Sequence, residues 1–247
     1  MELRLATEAD RKELYSLWNE AFGDGNDTID LFFDTAVDFD NVPVIADEGK
    51  ILSVLYLIET EIVNSTSSHS AYYIYAAATR KSHRQKGLMA ELLEYSARLA
   101  GERNIDYLFL CPETEKLFNY YEKQGFKTAF YKSAEAEKYD GEEIPPYSFV
   151  NWNEAMVMLD CDFQGSDFYK CKFGFAQIEK TAHHILVKYF VSGQANEFLD
   201  EIKKDFPDKT LLVCLPSDSG GKKTGMIRKI SDTAPEIRSA YMGLTME

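Results

Sequence analysis

Two segments of this 247-residue chain hold residue types whose spacing could support chemistry. The first is Thr79-Arg80-Lys81-Ser82-His83-Arg84-Gln85-Lys86-Gly87-Leu88-Met89, which leaves a strand-like stretch and opens a helix-like one. A helix N-terminus presents unpaired N–H groups and a partial positive charge, which together attract anions. Gly87 lets the backbone come close to a phosphate, and Arg80, Lys81, Arg84 and Lys86 add long-range attraction. Alone the pattern is modest, because a solvated basic turn capping a helix reads the same way. The second segment is Tyr120-Tyr121-Glu122-Lys123-Gln124-Gly125-Phe126. A tyrosine with its ordinary pKa of about 10 is protonated at neutral pH and can give a proton to a departing anion. Leu117, Phe118 and Tyr121 share one helical face, so a core tyrosine is the competing reading. Tyr120 points about 100° away and is the weaker donor candidate.

The elements that must position these residues follow from periodicity. Glu2–Ala6 reads as an opening strand, and Thr7 as the N-cap of a helix carrying Leu14, Leu17, Trp18 and Ala21 on one face. A second helix is expected over Thr28–Val37. Val42–Ala46 and Ile51–Val63 read as an antiparallel hairpin across Asp47-Glu48-Gly49-Lys50. Asn64–Ser70 is a polar loop and Ala71–Thr79 a third strand. Gly87–Gly101 reads as a helix, Ile105–Cys111 as a strand, Thr114–Gln124 as a helix and Phe126–Tyr131 as a strand. That strand, helix and strand form a crossover unit, so part of the sheet is expected to be parallel.

A charged stretch, 133–146, contains Asp140-Gly141 and Pro145-Pro146 and is the best candidate linker. The expected domains are therefore 1–132 and 147–247. In the latter, a weak helix is expected near Asn153–Cys161, strands near Lys172–Glu179 and His183–Phe190, and a helix near Gln194–Asp205. Strands at Thr210–Leu215, Lys222–Ile230 and Arg238–Met246 follow.

Composition limits the function classes. A net charge of −14 argues against nucleic acid or an anionic membrane as a main partner. No run approaches the roughly 18–20 apolar residues of a membrane span, and Met1–Ala6 lacks a signal peptide's apolar region. A cytoplasmic location is the expectation. Cys111, Cys161, Cys171 and Cys214 form no CxxC pair, and His69, His83, His183 and His184 lack metal-ligand spacing, so no metal is expected. Residues 1–60 carry 14 acidic against 4 basic side chains, whereas Arg80–Lys86 contains no acid.

The two motifs together resemble the GNAT superfamily of N-acetyltransferases. Arg84-Gln85-Lys86-Gly87-Leu88 matches that family's pyrophosphate loop, with Met89 at its last small position, and Tyr120–Phe126 matches its aromatic-Tyr-Glu-Lys-x-Gly-Phe run. The resemblance covers about residues 1–132. It implies an α/β (α+β) fold with a mixed, mostly antiparallel twisted sheet and flanking helices. Residues 147–247 loosely resemble a smaller, degenerate second copy in which Ser192-Gly193-Gln194 replaces the basic turn. The resemblance also implies acetyl-CoA as acyl donor. Its pantetheine arm would lie along Ala77, Ala78 and Thr79, and its pyrophosphate on the amides of Arg84, Gln85, Lys86, Gly87, Leu88 and Met89. Tyr121 would be the general acid.

Acyl transfer to an amine passes through a tetrahedral oxyanion that needs preorganised donors. A bulge at Ala76-Ala77-Ala78 would aim an amide there and leave room for the acyl group. The acceptor is expected to be an amine on a small molecule or peptide, with a cationic one favoured by the acidic N-terminal region. Glu59, Glu61, Asp24, Asp27 and Asp30 are candidate bases, each competing with a solvated-carboxylate reading, and a water relay would also serve. Tyr72, Tyr73 and Tyr75 could line an acceptor pocket. Two other readings stay open: a non-catalytic acyl-CoA-binding regulatory module, and a function residing in residues 147–247. A homodimer is among the assemblies the sequence allows.

Overall fold

The computed structural model describes residues 1–244. Its elements run β1 (Glu2–Leu5), α1 (Arg11–Ala21), α2 (Asn26–Ala36), β2 (Pro43–Asp47), β3 (Lys50–Val63), β4 (Ser68–Thr79), α3 (Leu88–Glu102), β5 (Tyr107–Leu110) and α4 (Glu115–Glu122). They continue β6 (Lys127–Lys132), β7 (Glu137–Lys138), β8 (Phe149–Val150), α5 (Glu154–Gln164), β9 (Asp167–Cys171), β10 (Gly174–Lys180), β11 (His184–Val191), α6 (Ala195–Asp205), β12 (Thr210–Val213) and β13 (Lys222–Lys229). Two compact units alternate along the chain. One comprises Met1–Glu59, Ser70–Lys127 and Arg228–Ala234; the other takes Thr60–His69, Thr128–Ile227 and the residues from Pro235 onward.

In the first unit the strands are ordered β1-β2-β3-β4-β5. β1/β2 and β2/β3 pair antiparallel, and β4/β5 pair parallel. The parallel pair thus encloses α3, because a strand must cross over a helix to return in the same direction. β6 does not lie directly beside β5 but pairs with β13, and the expected parallel part of the sheet is supplied by β4/β5. Leu14, Leu17 and Trp18 of α1 and Ile29, Phe32 and Phe33 of α2 are buried at helical spacing. Such apolar stripes, rather than helix propensity, hold short helices in place.

The entry to α1 is fixed electrostatically. Arg4 of β1 donates through both terminal nitrogens to Asp10 at 2.7 and 2.8 Å, and Thr7 donates its backbone N–H and hydroxyl to Asp10 at 2.8 and 3.0 Å. The Arg4 hydrogen bonds, foremost, lower the Asp10 pKa to about 2 from 3.8. A depressed carboxylate pKa contributes stability above the unfolded value, and this is lost as pH falls through the folded one. Asp10→Asn is expected to lower stability at neutral pH by about 1–2 kcal/mol. It should also flatten the acid-unfolding slope below pH 3.8 toward about 2, as read by chemical denaturation across that window.

In the second unit, β7-β12-β11-β10-β9 form a separate five-stranded sheet. β11/β12 are parallel around α6, while β10 pairs antiparallel with β9 and β11. Phe198, Leu199 and Ile202 of α6 and Met156, Val157 and Leu159 of α5 supply its buried helical faces. The strand expected at Arg238–Met246 does not form within the described residues. Ala240 and Tyr241 make only isolated bridges to Phe130 and Phe149, and positions 245 and 246 lie outside the described residues. No described helix is long and apolar enough to cross a membrane.

Candidate active site

The site is built on the carboxyl end of β4. β4 pairs with β5 only at Ala71↔Tyr107, Tyr72↔Leu108 and Tyr73↔Phe109, yet it continues to Thr79. The register between the two parallel strands therefore ends at Tyr73, while β4 runs on to Thr79. Unpaired strand backbone is a template for an extended ligand, and crevices of this kind lie at the carboxyl ends of parallel strands. Within this stretch Ala76 has φ 46°, a left-handed conformation rare outside glycine. Such a residue costs on the order of 1 kcal/mol and rotates the adjoining peptide groups out of the ladder, as in a bulge.

The far edge of the stretch is held by β3. Buried Ser53 donates to the Ala78 carbonyl at 3.0 Å and shares a 2.8 Å hydrogen bond with the Thr79 hydroxyl. The Arg80 N–H donates to the Leu52 carbonyl at 2.8 Å. Ala78 is buried, while Ala77 and Thr79 are half-buried.

The basic loop that follows divides its cations. Arg80 is bound to Glu13 at 2.8 Å, to Glu20 at 3.0 Å and to the Ile51 carbonyl at 2.8 Å. The Lys81 N–H donates to Glu20 at 2.6 Å. Arg80 thus anchors α1, which corrects its expected part in attracting an anion; part of the basic anomaly is a counter-charge to the acidic N-terminal region. Arg84 folds its Nε onto the Thr79 carbonyl at 3.1 Å and closes the loop.

Gln85 and Gly87 are both left-handed, at φ 63° and 84°. Left-handed residues so spaced turn N–H groups toward one side, the concave arrangement that binds phosphate. A Cβ at Gly87 would meet nothing within 4 Å, so its conformation, not crowding within the chain, selects glycine. Arg84, Gln85, Lys86 and Gly87 are exposed, Leu88 is buried and Met89 is half-buried. Behind them α3 supplies a 15-residue dipole whose positive end meets this loop.

Tyr121 stands on α4, which starts at an N-cap where the Thr114 hydroxyl accepts from the Leu117 N–H at 3.3 Å. Because α3 and α4 follow the carboxyl ends of two parallel strands, their N-termini lie at the same end of the sheet. Tyr121 is 9 % exposed, its ring packed edgewise on Tyr120 at 5.2 Å and Phe126 at 5.8 Å. Burial first, then Tyr120, raises the Tyr121 pKa well above its ordinary value. No hydrogen bond from its hydroxyl to another described residue is formed.

The acceptor-lining role expected of Tyr72 and Tyr73 is corrected. Both are buried; Tyr73 stacks on Phe109 at 5.2 Å, and the Tyr72 hydroxyl accepts from Arg103 at 3.2 Å. Tyr75 is half-buried against Phe32 at 5.0 Å and Trp18 at 6.0 Å. Of the candidate bases, Glu59 accepts from Asn41 at 3.1 Å, Asp24 from the Trp18 indole at 2.7 Å, and Asp30 from the Tyr15 hydroxyl. Asp27 and Glu61 are exposed. Among the described residues no group of three or more His, Cys, Asp or Glu side chains could hold a metal ion.

An acetyltransferase (GNAT) domain family matches residues 2–129, slightly over half of the chain. The chain belongs to the GNAT acetyltransferase family. No curated protein matches it by sequence. Solved structures share the fold at low identity. Eis1 from Mycobacterium abscessus aligns over 94% of this chain and 74% of its own, at 10% identity and TM-score 0.67. A GCN5-related N-acetyltransferase from Anabaena variabilis aligns over 93% of this chain and 73% of its own, at 15% identity and TM-score 0.61. One from Kribbella flavida aligns over 92% and 70%, at 12% identity and TM-score 0.59. The family match ends within β6, but the structural likeness runs through the C-terminal half as well.

This GNAT acyltransferase also holds a residue that motif reading missed. Arg228, at the end of β13, grips Glu94 of α3 with two nitrogens at 2.6 and 3.2 Å and donates to the Gln124 carbonyl at 3.2 Å. Arg228 lowers the Glu94 pKa, chiefly through that hydrogen bonding. A guanidinium at the end of α4 complements its dipole while joining it to α3. Arg228→Ala is expected to cost about 1–3 kcal/mol in chemical denaturation, and Arg228→Lys to recover only part, lacking the fork. Nothing in the local sequence of β13 signals this role, because its partners lie more than a hundred residues earlier.

Proposed function

We propose that the protein transfers an acetyl group from acetyl-CoA to a primary amine by direct attack. The observation that carries the reading is the end of β4 beyond its β5 register, kinked at Ala76, followed by the left-handed Gln85 and Gly87 at the head of α3. An extended arm with an amide-rich backbone would pair with Ala77–Thr79, and a diphosphate would meet the N–H groups from Arg84 to Met89. The small side chains of Ala76, Ala77 and Ala78 leave space for a short acyl group beside the kink.

The amine nitrogen attacks the thioester carbonyl carbon, and the C–S bond breaks as the amide forms. Tyr121 gives its proton to the departing thiolate, and the proton lost by the amine leaves to water or a carboxylate. Reprotonation of Tyr121 from solvent restores the site. Supporting a cationic acceptor, residues 13–49 contain no basic side chain, and Asp24 between α1 and α2 and Asp27 in the first turn of α2 are exposed.

The test is calorimetry with acetyl-CoA, followed by thiol release across a panel of primary amines. Acetyl-CoA binding at one site with amine-dependent thiol release is the expected result. Binding without release from any amine would overturn the acceptor class, and no binding would overturn the donor.

A further inference from the structure

The second unit contains a half-open cavity of about 660 Å³ that the acyl-transfer reading does not use. Four segments distant in sequence converge on it: Asn64–Ser65, Ile144–Ser148, Pro216–Asp218 and Ser239–Tyr241. Its volume falls within the range of small-molecule sites.

The walls are pinned from behind. The Tyr147 hydroxyl donates to the Ser192 carbonyl at 2.9 Å, and the Tyr241 hydroxyl to the Cys214 carbonyl at 2.8 Å. Ser239 donates to the Ser217 carbonyl at 3.0 Å, and the Asn64 side-chain oxygen accepts the Thr66 N–H at 2.8 Å. Because its hydroxyl is already engaged, the half-buried Tyr147 offers its ring as apolar surface, together with Ile144, Pro145, Pro146 and Pro216, while Tyr241 is buried behind it against Phe190.

Among the described residues Asp218 is the only charged side chain in the lining. One of its oxygens accepts the Gly220 N–H at 2.9 Å, which orients the carboxylate and leaves the other oxygen available. No described lysine, arginine or histidine lines the cavity. One aromatic ring and an apolar proline wall beside a carboxylate with no basic side chain in the described lining favour a cation with an apolar body over an anion of the same shape.

We propose that this cavity is a second binding site, for a small organic monocation with an aromatic body, held by Asp218 and the Pro145-Pro146-Tyr147 wall. It does not depend on the acetyl-transfer reading. The probe is benzyltrimethylammonium, a quaternary cation that cannot be acylated and so reports binding apart from turnover; 3-phenylpropionate is the matched anion.

Calorimetry and ligand-observed NMR should show saturable binding of the cation and none of the anion. Asp218→Asn should weaken the cation about five- to tenfold. Ser217→Trp, which fills the cavity, should abolish binding. Gly87→Glu should leave it unchanged, because the acyl-donor loop is not part of the cavity. Equal affinity in wild type and Asp218→Asn, equal binding of the anion, or no binding of the cation would each overturn the proposal. Asp218→Asn decides it even if Ser217→Trp does not fold, since position 218 is exposed and the change conserves shape.

Discussion

Replacing Tyr121 by phenylalanine is expected to lower kcat by about 100-fold or more while leaving the acetyl-CoA Kd unchanged. Phenylalanine keeps the edgewise packing on Tyr120 and Phe126, so fold and donor site survive and only the hydroxyl is lost. A proton supplied only as the thiolate departs is a transition-state interaction, so its loss falls on kcat. The pH profile gives a second readout. Burial raises the Tyr121 pKa, and the acid acts in its protonated form, so loss of that proton should not set an alkaline limb below about pH 10. Unchanged turnover in Tyr121→Phe, measured by thiol release at saturating amine, would remove Tyr121 from the mechanism.

Gly87→Glu is expected to weaken acetyl-CoA by a factor on the order of 100 or more. Two effects act together. Gly87 has φ 84°, where a Cβ is strained by roughly 1–2 kcal/mol. A carboxylate there would also neutralise the positive end of the α3 dipole and repel an incoming diphosphate. Since no atom lies within 4 Å of a Cβ there, the variant should fold, and far-UV circular dichroism should match wild type. Gly87→Asn separates the two effects, because asparagine tolerates the left-handed region without charge. It should retain affinity within about tenfold of wild type. Calorimetry showing Gly87→Glu bound as tightly as wild type would displace the diphosphate from this loop.

These two positions were readable in the sequence because their signals are local. A helix entrance must be opened by few residue types, and the spacing of Arg84 to Gly87 records that demand within a handful of positions. The apolar stripes of α1, α2 and α3 were legible for the same reason, since 3.6-residue periodicity needs no knowledge of the partner. Boundaries moved by a residue or two: the helix expected at Thr28–Val37 runs Asn26–Ala36. Frayed ends and short turns are decided by single hydrogen bonds rather than by pattern.

What the sequence left open was the fate of each charge and each pairing. Arg80 and Arg84 look alike in a basic run, yet Arg80 is drawn back by Glu13 and Glu20, sixty or more residues away, while Arg84 is exposed. Tyr72 and Tyr73 point to opposite faces of the strand, and only what packs on each face, Arg103 beside Tyr72 and Phe109 beside Tyr73, decides that both are buried.

The sequence by itself therefore determined most of the helices and strands and marked the candidate donor loop and the candidate acid, because each is encoded by neighbours along the chain. Tertiary structure alone decided where the β4/β5 register ends, the placement of Arg228 against α3 and α4, and the convergence of four distant segments on Asp218. Those features depend on which surfaces meet, and contacts between residues far apart in sequence leave no periodic trace in either partner.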